Sequence, residues 1–166
     1  DTDISRSTSI WYATIDMACD DGRGCVTTKD NVLLDARVKD GILQACRHAN
    51  GRDWWLYAVN ADGTTYYTFL LDPSGVRLVH TQQIGRVTAD VSAGNAVFSQ
   101  QGDKYAVVDG GYWDSMGVVS IYDFDRCTGL LRNPFFDTLV IPRFSLGQGA
   151  SFSPDGRYFY ANNRND

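Results

Sequence analysis

Three copies of one pattern run through the chain, and that repetition constrains the fold more than any other feature. The clearest copy is Ala150-Ser151-Phe152-Ser153-Pro154-Asp155-Gly156-Arg157-Tyr158-Phe159-Tyr160-Ala161. A second runs from Ala96 to Val107 through Phe98-Ser99-Gln100-Gln101-Gly102, and a third from Ala45 to Leu56 through Asn50-Gly51-Arg52. Measured from the glycine, each copy has Ala six residues before, an aromatic three residues after and an apolar residue five after. Gly51, Gly102 and Gly156 are 51 and 54 residues apart. Two short β-rich runs around a tight turn, repeated at that period, are the pattern of a β-propeller blade. Glycine supplies the positive φ that the turn demands. A lone hairpin is not stable in water, so each copy needs further strands and a neighbouring sheet.

Composition agrees with many short strands joined by turns. The chain of 166 residues has 20 Asp and no Glu, with 12 Arg against 3 Lys. Helix-favouring Glu and Lys are nearly gone, while turn-forming Asp, Asn and Gly abound. No apolar pattern with a period of 3.6 reaches helical length. The expected fold class is all-β, a β-propeller segment of four-stranded antiparallel blades. At about 52 residues per blade the chain holds roughly three, and closed propellers usually need four or more. The expected division is a partial blade of outer strands with a lead-in (1–40), a blade (41–90), a second blade (91–145) and a partial blade (146–166). All four are expected to belong to one propeller cut from a longer chain, with the other blades supplied by the parent chain or a partner chain.

Strands are expected at Trp11–Ala18, Val32–Leu34, Ile42–Arg47, Trp54–Val59, Thr65–Leu71, Val76–Ile84, Asn95–Ser99, Tyr105–Val108, Gly117–Phe124 and within Asn133–Ile141. Pro134 marks the last of these as an edge strand, because proline cannot donate to a ladder.

The net charge of -5 argues against nucleic acid or an anionic membrane surface as partner. No run of 18 apolar residues exists, so no helical transmembrane segment is expected. Four cysteines, Cys19, Cys25, Cys46 and Cys127, lean toward an oxidising compartment and contain no CxxC pair. Cys19 and Cys25 flank a short turn and could close a local bridge. Cys46 and Cys127 are expected on one face of adjacent blades, as neighbours and as a candidate disulfide.

Two runs carry a resemblance. Ala45-Cys46-Arg47-His48-Ala49-Asn50-Gly51-Arg52-Asp53-Trp54-Trp55 and Phe124-Asp125-Arg126-Cys127-Thr128-Gly129 resemble hallmarks of large secreted propeller proteins of Bacteroidetes. Those proteins are similar to WD40-type and lactonase-type propellers and are often cargo of the type IX secretion system. The resemblance covers about residues 11 to 162. It implies an extracellular or cell-surface propeller, and it implies no defined biochemical role.

Candidate site residues follow from departures within the repeat. Arg47 and His48 stand where the other copies have Phe-Ser. An Arg in a core position must find a partner or reach water. Asp53, across the turn, is the candidate partner, with Arg52 beside it. The set reads either as a ligand site on the turn-bearing face or as a polar network bracing the blade. Trp54 and Trp55 are adjacent on a strand, so one should enter the interblade core and the other meet solvent or the neighbouring blade. An exposed Trp is also a platform for a sugar. The loop from Gly110 to Met116 carries Tyr112, Trp113 and Asp114, and long loops bear recognition more often than short turns.

No nucleophile elbow, phosphate loop or dinucleotide glycine motif occurs. No metal site is assigned. His48 and His80 lie in different strands, and no EF-hand spacing is present. No cofactor is expected, with calcium the one ion left open. The expected function is a non-catalytic scaffold or binding propeller with a protein or glycan ligand. The alternative is a lactonase-like or glycan-cleaving hydrolase using channel Asp residues and a divalent metal.

Overall fold

The computed structural model describes residues 7–88, 94–109, 116–140 and 149–162. Twelve strands occupy them: β1 (Ser7–Asp16), β2 (Cys25–Val38), β3 (Gln44–Arg47), β4 (Trp54–Val59), β5 (Thr65–Asp72), β6 (Gly75–Gln83), β7 (Gly94–Phe98), β8 (Lys104–Asp109), β9 (Met116–Asp125), β10 (Leu130–Val140), β11 (Ala150–Phe152) and β12 (Phe159–Ala161). They form two four-stranded antiparallel meanders, β3-β4-β5-β6 and β7-β8-β9-β10, flanked by the hairpins β1-β2 and β11-β12. This is the expected all-β propeller segment. Among the described residues the sole helical piece is one 3-10 turn, Asp20–Gly22, so no helix there is long and apolar enough to cross a membrane.

The repeat is a backbone device. In each copy the residue three before the glycine donates its N–H across the hairpin: His48 to Asp53 O (2.8 Å), Ser99 to Lys104 O (3.0 Å) and Ser153 to Tyr158 O (2.8 Å). In each, the glycine N–H returns to the carbonyl three residues back. Gly51, Gly102 and Gly156 sit at φ 74°, 69° and 70°. The pairing register is also shared, with Arg47 opposite Trp54, Phe98 opposite Tyr105 and Phe152 opposite Phe159. The side chains that brace the turn differ. Ser99 Oγ accepts from the N–H groups of Asp103 and Lys104, and Ser153 Oγ accepts from Tyr158. In the first copy Asn50 does that work, its Oδ1 accepting from Arg52 and Asp53.

The main core lies between the two four-stranded sheets and is largely aromatic. Trp55, Tyr57 and Tyr66 from the first sheet meet Tyr105, Tyr122 and Phe124 from the second. Tyr57 packs edge-on to Phe98 and Phe124, and Tyr122 Oη donates to Tyr66 Oη at 2.9 Å. Aromatic pairs in these geometries add to what area burial alone supplies. Tyr57 Oη donates to Gly129 O, which satisfies a hydroxyl that would otherwise be costly to bury. On its other face the first sheet packs Ala58 and Phe69 against Val38, with Ile10, Leu33 and Leu34 around them.

The strands depart from expectation where polar residues carry them. β2 runs 14 residues, where only Val32–Leu34 was expected. Its first half, Cys25 to Asp30, is polar and exposed, yet its Thr and Val residues suit an extended backbone and pair with β1 through several register shifts. β1 begins at Ser7 rather than Trp11. Ile42 is fully buried but lies outside β3, just after Gly41 at φ 76°. β10 begins at Leu130 and forms the sheet edge, as Pro134 requires. A bulge between Arg132 and Phe135 accommodates Pro134, with Asn133 at φ 48°.

Cys19 and Cys25 form a disulfide at the mouth of the β1-β2 hairpin, with Cα atoms 5.8 Å apart. The expected bond between Cys46 and Cys127 is not made. Cys46 is a buried free thiol and Cys127 an exposed one. Their segments do meet, since Ala49 N–H donates to Arg126 O. The turn residue that points inward is Arg126, however, and Cys46 Sγ lies under Gly102, where an added Cβ would stand 2.9 Å from it. Burial pushes the Cys46 thiol pKa up, which keeps it protonated and unreactive.

Candidate functional site

Shared register puts Arg47 and Trp54 directly opposite each other on the first sheet, and that decides what Arg47 does. The two side chains leave the same face as a cross-strand pair. The Arg47 guanidinium sits over the Trp54 ring, 5.9 Å from its centroid. Arg47 therefore reaches water along an aromatic face, and the expected Arg47–Asp53 pair is not formed. Asp53 is in the turn, one residue off the ladder, and its partner is the adjacent Arg52. Arg52 Nε donates to Asp53 Oδ1 at 2.7 Å and Nη2 to Oδ2 at 3.2 Å. Asn50 Nδ2 adds a third bond at 2.7 Å. The donated hydrogen bonds of Arg52 and Asn50 hold the Asp53 carboxyl below the usual carboxylate range. Arg52, Asp53 and Asn50 thus form a closed structural network.

Trp55 faces the other way, buried to 4% exposure, while Trp54 is 41% exposed. The His48 ring stacks on Trp55, with centroids 4.9 Å apart. Trp55 Nε1 donates to Arg126 O at 2.8 Å, and the turn at Gly129 covers the indole closely enough that an added Cβ would stand 2.8 Å from it. His48 Nδ1 accepts from Asn50 N–H, and His80 Nε2 lies 3.0 Å from Thr128 O, so the two histidines serve separate turns.

Arg126, from the β9-β10 turn, is the residue that builds the site and the one that sequence reasoning missed. Its guanidinium donates to three carbonyls: Arg47 O (2.9 Å), Gln101 O (3.2 Å) and His48 O (3.5 Å). It locks three turns from two blades together. Neither Arg126 nor Arg47 has a carboxylate within ion-pair distance among the described residues. Between them lies a groove of about 410 Å³, lined by Cys46, Arg47, Trp54, Ser99, Gln101 and Arg126. It offers two guanidinium groups that no carboxylate of the described residues neutralises, an indole face and polar side chains. That arrangement suits an anion with an attached carbon skeleton. Nothing in the spacing of the sequence announces Arg126, because its partners are 78, 79 and 25 residues away.

Lys39 and Asp109 form the second polar feature, at the strand ends opposite these turns. Lys39 Nζ lies 2.6 Å from Asp109 Oδ2, and both side chains are buried. Burial pushes the Asp109 carboxyl pKa up, against the opposing pull of the Lys39 charge. Asp109 immediately precedes the loop of Tyr112, Trp113 and Asp114, which lie outside the described residues. Among the described residues no group of three His, Cys, Asp or Glu is close enough to hold a metal ion.

No family model matches the chain, and no curated protein matches it. Solved structures do resemble it. One is a candidate 6-phosphogluconolactonase from Bacteroides fragilis NCTC 9343, with a TM-score of 0.56 and 15% identity, over 93% of this chain and 41% of that one. Another is a candidate 6-phosphogluconolactonase from Bacteroides uniformis ATCC 8492, with a TM-score of 0.57 and 18% identity, over 94% of this chain and 43% of that one. The likeness is one of fold, that of lactonase-like β-propellers. The chain spans about two fifths of the length of these structures.

Proposed function

We propose that this chain is part of a lactonase-like β-propeller that binds a small anionic, sugar-acid-type ligand in the groove between Arg47, Trp54 and Arg126. The observation that carries this reading is a groove lined by the exposed Trp54 indole and by the Arg47 and Arg126 guanidinium groups, neither of which has a carboxylate partner among the described residues. A phosphate or carboxylate takes up two or more guanidinium N–H donors. The apolar face of a sugar ring stacks on Trp54. The acids beside the groove are already engaged, Asp53 by Arg52 and Asn50 and Asp125 by the Cys127 N–H, so the groove favours binding over hydrolysis. In the same reading the protein works outside the cell or at its surface, which the Cys19–Cys25 disulfide supports.

Lactone hydrolysis is the second reading, and Asp109 favours it. A carboxyl with a raised pKa beside a lysine suits general acid or base work. The names of the similar structures point to a phosphorylated sugar lactone as the substrate to try. Calorimetric titration with 6-phosphogluconate separates the two. The groove reading expects binding that weakens with salt, falls about tenfold or more in Arg47→Ala, and is indifferent to Asp109→Asn. Binding unchanged in Arg47→Ala would refute it. Acid release from the lactone that is lost in Asp109→Asn would establish the second reading, and loss of that release on chelation would add a metal.

A further inference from the structure

The two guanidinium groups of the groove are held in opposite ways. Arg126 is fixed. Of the five N–H donors of a guanidinium, its Nε is spent on Arg47 O, one Nη1 hydrogen on Gln101 O and one Nη2 hydrogen on His48 O. One donor remains on each terminal nitrogen. Arg47 is loose. The Arg126 bond pins its carbonyl and the β3-β4 ladder sets it opposite Trp54, but its side chain is exposed. Among the described residues the Arg47 guanidinium has one contact, the face of the Trp54 ring, 5.9 Å from the centroid. A cation on an exposed aromatic face is favoured by only about two- to fivefold. The other polar groups of the groove are already engaged. Ser99 Oγ donates to Asp103 Oδ1 at 2.7 Å, and Gln101 Nε2 donates to Pro154 O at 2.5 Å.

We propose that Arg47 is a gate on the Trp54 platform and makes the groove select sugars that carry an anionic group. This rests on the groove being the ligand site. In the free protein the guanidinium covers the indole. An anion bound to the two remaining donors of Arg126 offers Arg47 charge-assisted hydrogen bonds, which outweigh a contact as weak as the one it leaves. Arg47 then moves to the anion, and the ring is uncovered for the sugar that carries it. A neutral sugar gives Arg47 nothing in exchange. It must push the guanidinium into water, and the cover works against it by the same two- to fivefold. A ligand shifts such an equilibrium only through its different affinity for the two states, and here the anion supplies that difference. Removing the Arg47 side chain therefore acts in opposite directions on the two kinds of ligand.

Glucose and glucose 6-phosphate share a pyranose ring and differ by the phosphate, so NMR titration of the chain with each tests the gate. In the free chain the Arg47 side-chain protons should lie upfield of ordinary arginine values, under the ring current of Trp54. Glucose 6-phosphate, or inorganic phosphate alone, should return them toward those values; glucose at the same concentration should not. Arg47→Ala should bind glucose about two- to fivefold more tightly and glucose 6-phosphate about tenfold or more weakly. A purely structural role would weaken both. Arg47→Gln, which removes the charge and keeps a polar side chain, should follow Arg47→Ala, and circular dichroism checks that each variant is folded. The gate falls and the groove stands if the Arg47 protons show no upfield shift in the free chain. The same follows if glucose 6-phosphate binds the unaltered chain while Arg47→Ala leaves glucose affinity unchanged or lowers it. Both fall if neither glucose 6-phosphate nor phosphate disturbs the Arg47 and Arg126 signals.

Discussion

The β3-β4 and β7-β8 hairpins have the same turn, the same register and the same backbone hydrogen bonds, and they place equivalent residues in opposite surroundings. Phe98 and Tyr105 of the second hairpin pack on the preceding sheet, and Tyr105 is fully buried. Arg47 and Trp54 stand at the same two positions of the first hairpin and are exposed. The turn sets the hairpin, and the neighbouring sheet sets which side chain can occupy it. Where a four-stranded sheet lies alongside, the pair is aromatic, with Tyr105 fully buried and Phe98 half-buried. Where only the β1-β2 hairpin lies alongside, the pair is a cation on an indole, open to solvent.

The comparison breaks most sharply at the aromatic position. Tyr105→Ala should cost about 4 kcal/mol, because it empties a filled site between two sheets. Trp54→Ala at the equivalent position should cost about 1 kcal/mol, since the residue is 41% exposed and lies outside the core between the sheets. Urea unfolding of the two variants measures the difference, and equal losses would show that the neighbouring sheet does not set the environment.

The turn glycines give the next largest contrast. Gly51→Ala carries only the strain of an L-residue at positive φ, roughly 1 to 2 kcal/mol, for its added Cβ meets nothing within 4 Å. Gly102→Ala carries that strain and a contact of 2.9 Å with both Cys46 Sγ and Arg126 Cδ. It should destabilise by about 1 kcal/mol more. It should also disturb the groove through Arg126, which a titration of 6-phosphogluconate would register where Gly51→Ala would not.

At the turn side chains the expected effects are smaller. Ser99→Ala removes the acceptor of two N–H groups and should cost about 1 kcal/mol. His48→Ala should cost less, since Asn50 supplies the corresponding acceptor in that copy. Thermal unfolding of the pair tests whether Asn50 has taken over the role; a larger loss for His48→Ala would say that it has not.

The smallest effect is in acid. Asp72 is held at about 2 by the Ser74 hydroxyl and the Arg77 guanidinium, and Asp53 is lowered by Arg52 and Asn50. Their folded pKa values lie below the unfolded value near 3.9. The stability they contribute is present above about pH 4 and is lost as pH falls toward 2. Asp109 has the opposite sign, because burial raises its folded pKa, so its protonation works against that loss. Acid titration of Arg77→Ala should lose the share of the Asp72 slope that Arg77 supplies, while the Ser74 hydrogen bonds keep the rest.

Much of the fold was legible because it is written locally. Asn-Gly and Pro-Asp-Gly mark turns, and Trp54–Val59 is delimited by such signals at both ends, so its strand was read with correct bounds. β2 was not legible over its first half, since Thr27 to Asn31 are polar and turn-like in composition yet held extended by pairing with β1. In the candidate site, Arg47 was visible as an intruder in a core position. Its solution was not, because a cation over Trp54 and an ion pair with Asp53 are equally compatible with the string. Arg126 and the Lys39–Asp109 pair depend on contacts between sheets across some 70 residues or more, and no spacing rule reaches that far. The facing of Cys46 and Cys127 was read to the correct pair of segments but not to the side chain, since one residue's difference on a turn exchanges Cys127 for Arg126.

Hydrogen exchange of the chain tests most directly the claim that neighbouring sheets govern each hairpin. The account predicts that amides of β4, β5, β8 and β9 exchange together and slowly, through one cooperative opening, while those in the outer half of β1-β2 exchange far faster despite the disulfide. Protection of the β1-β2 amides equal to that of β8 would contradict it.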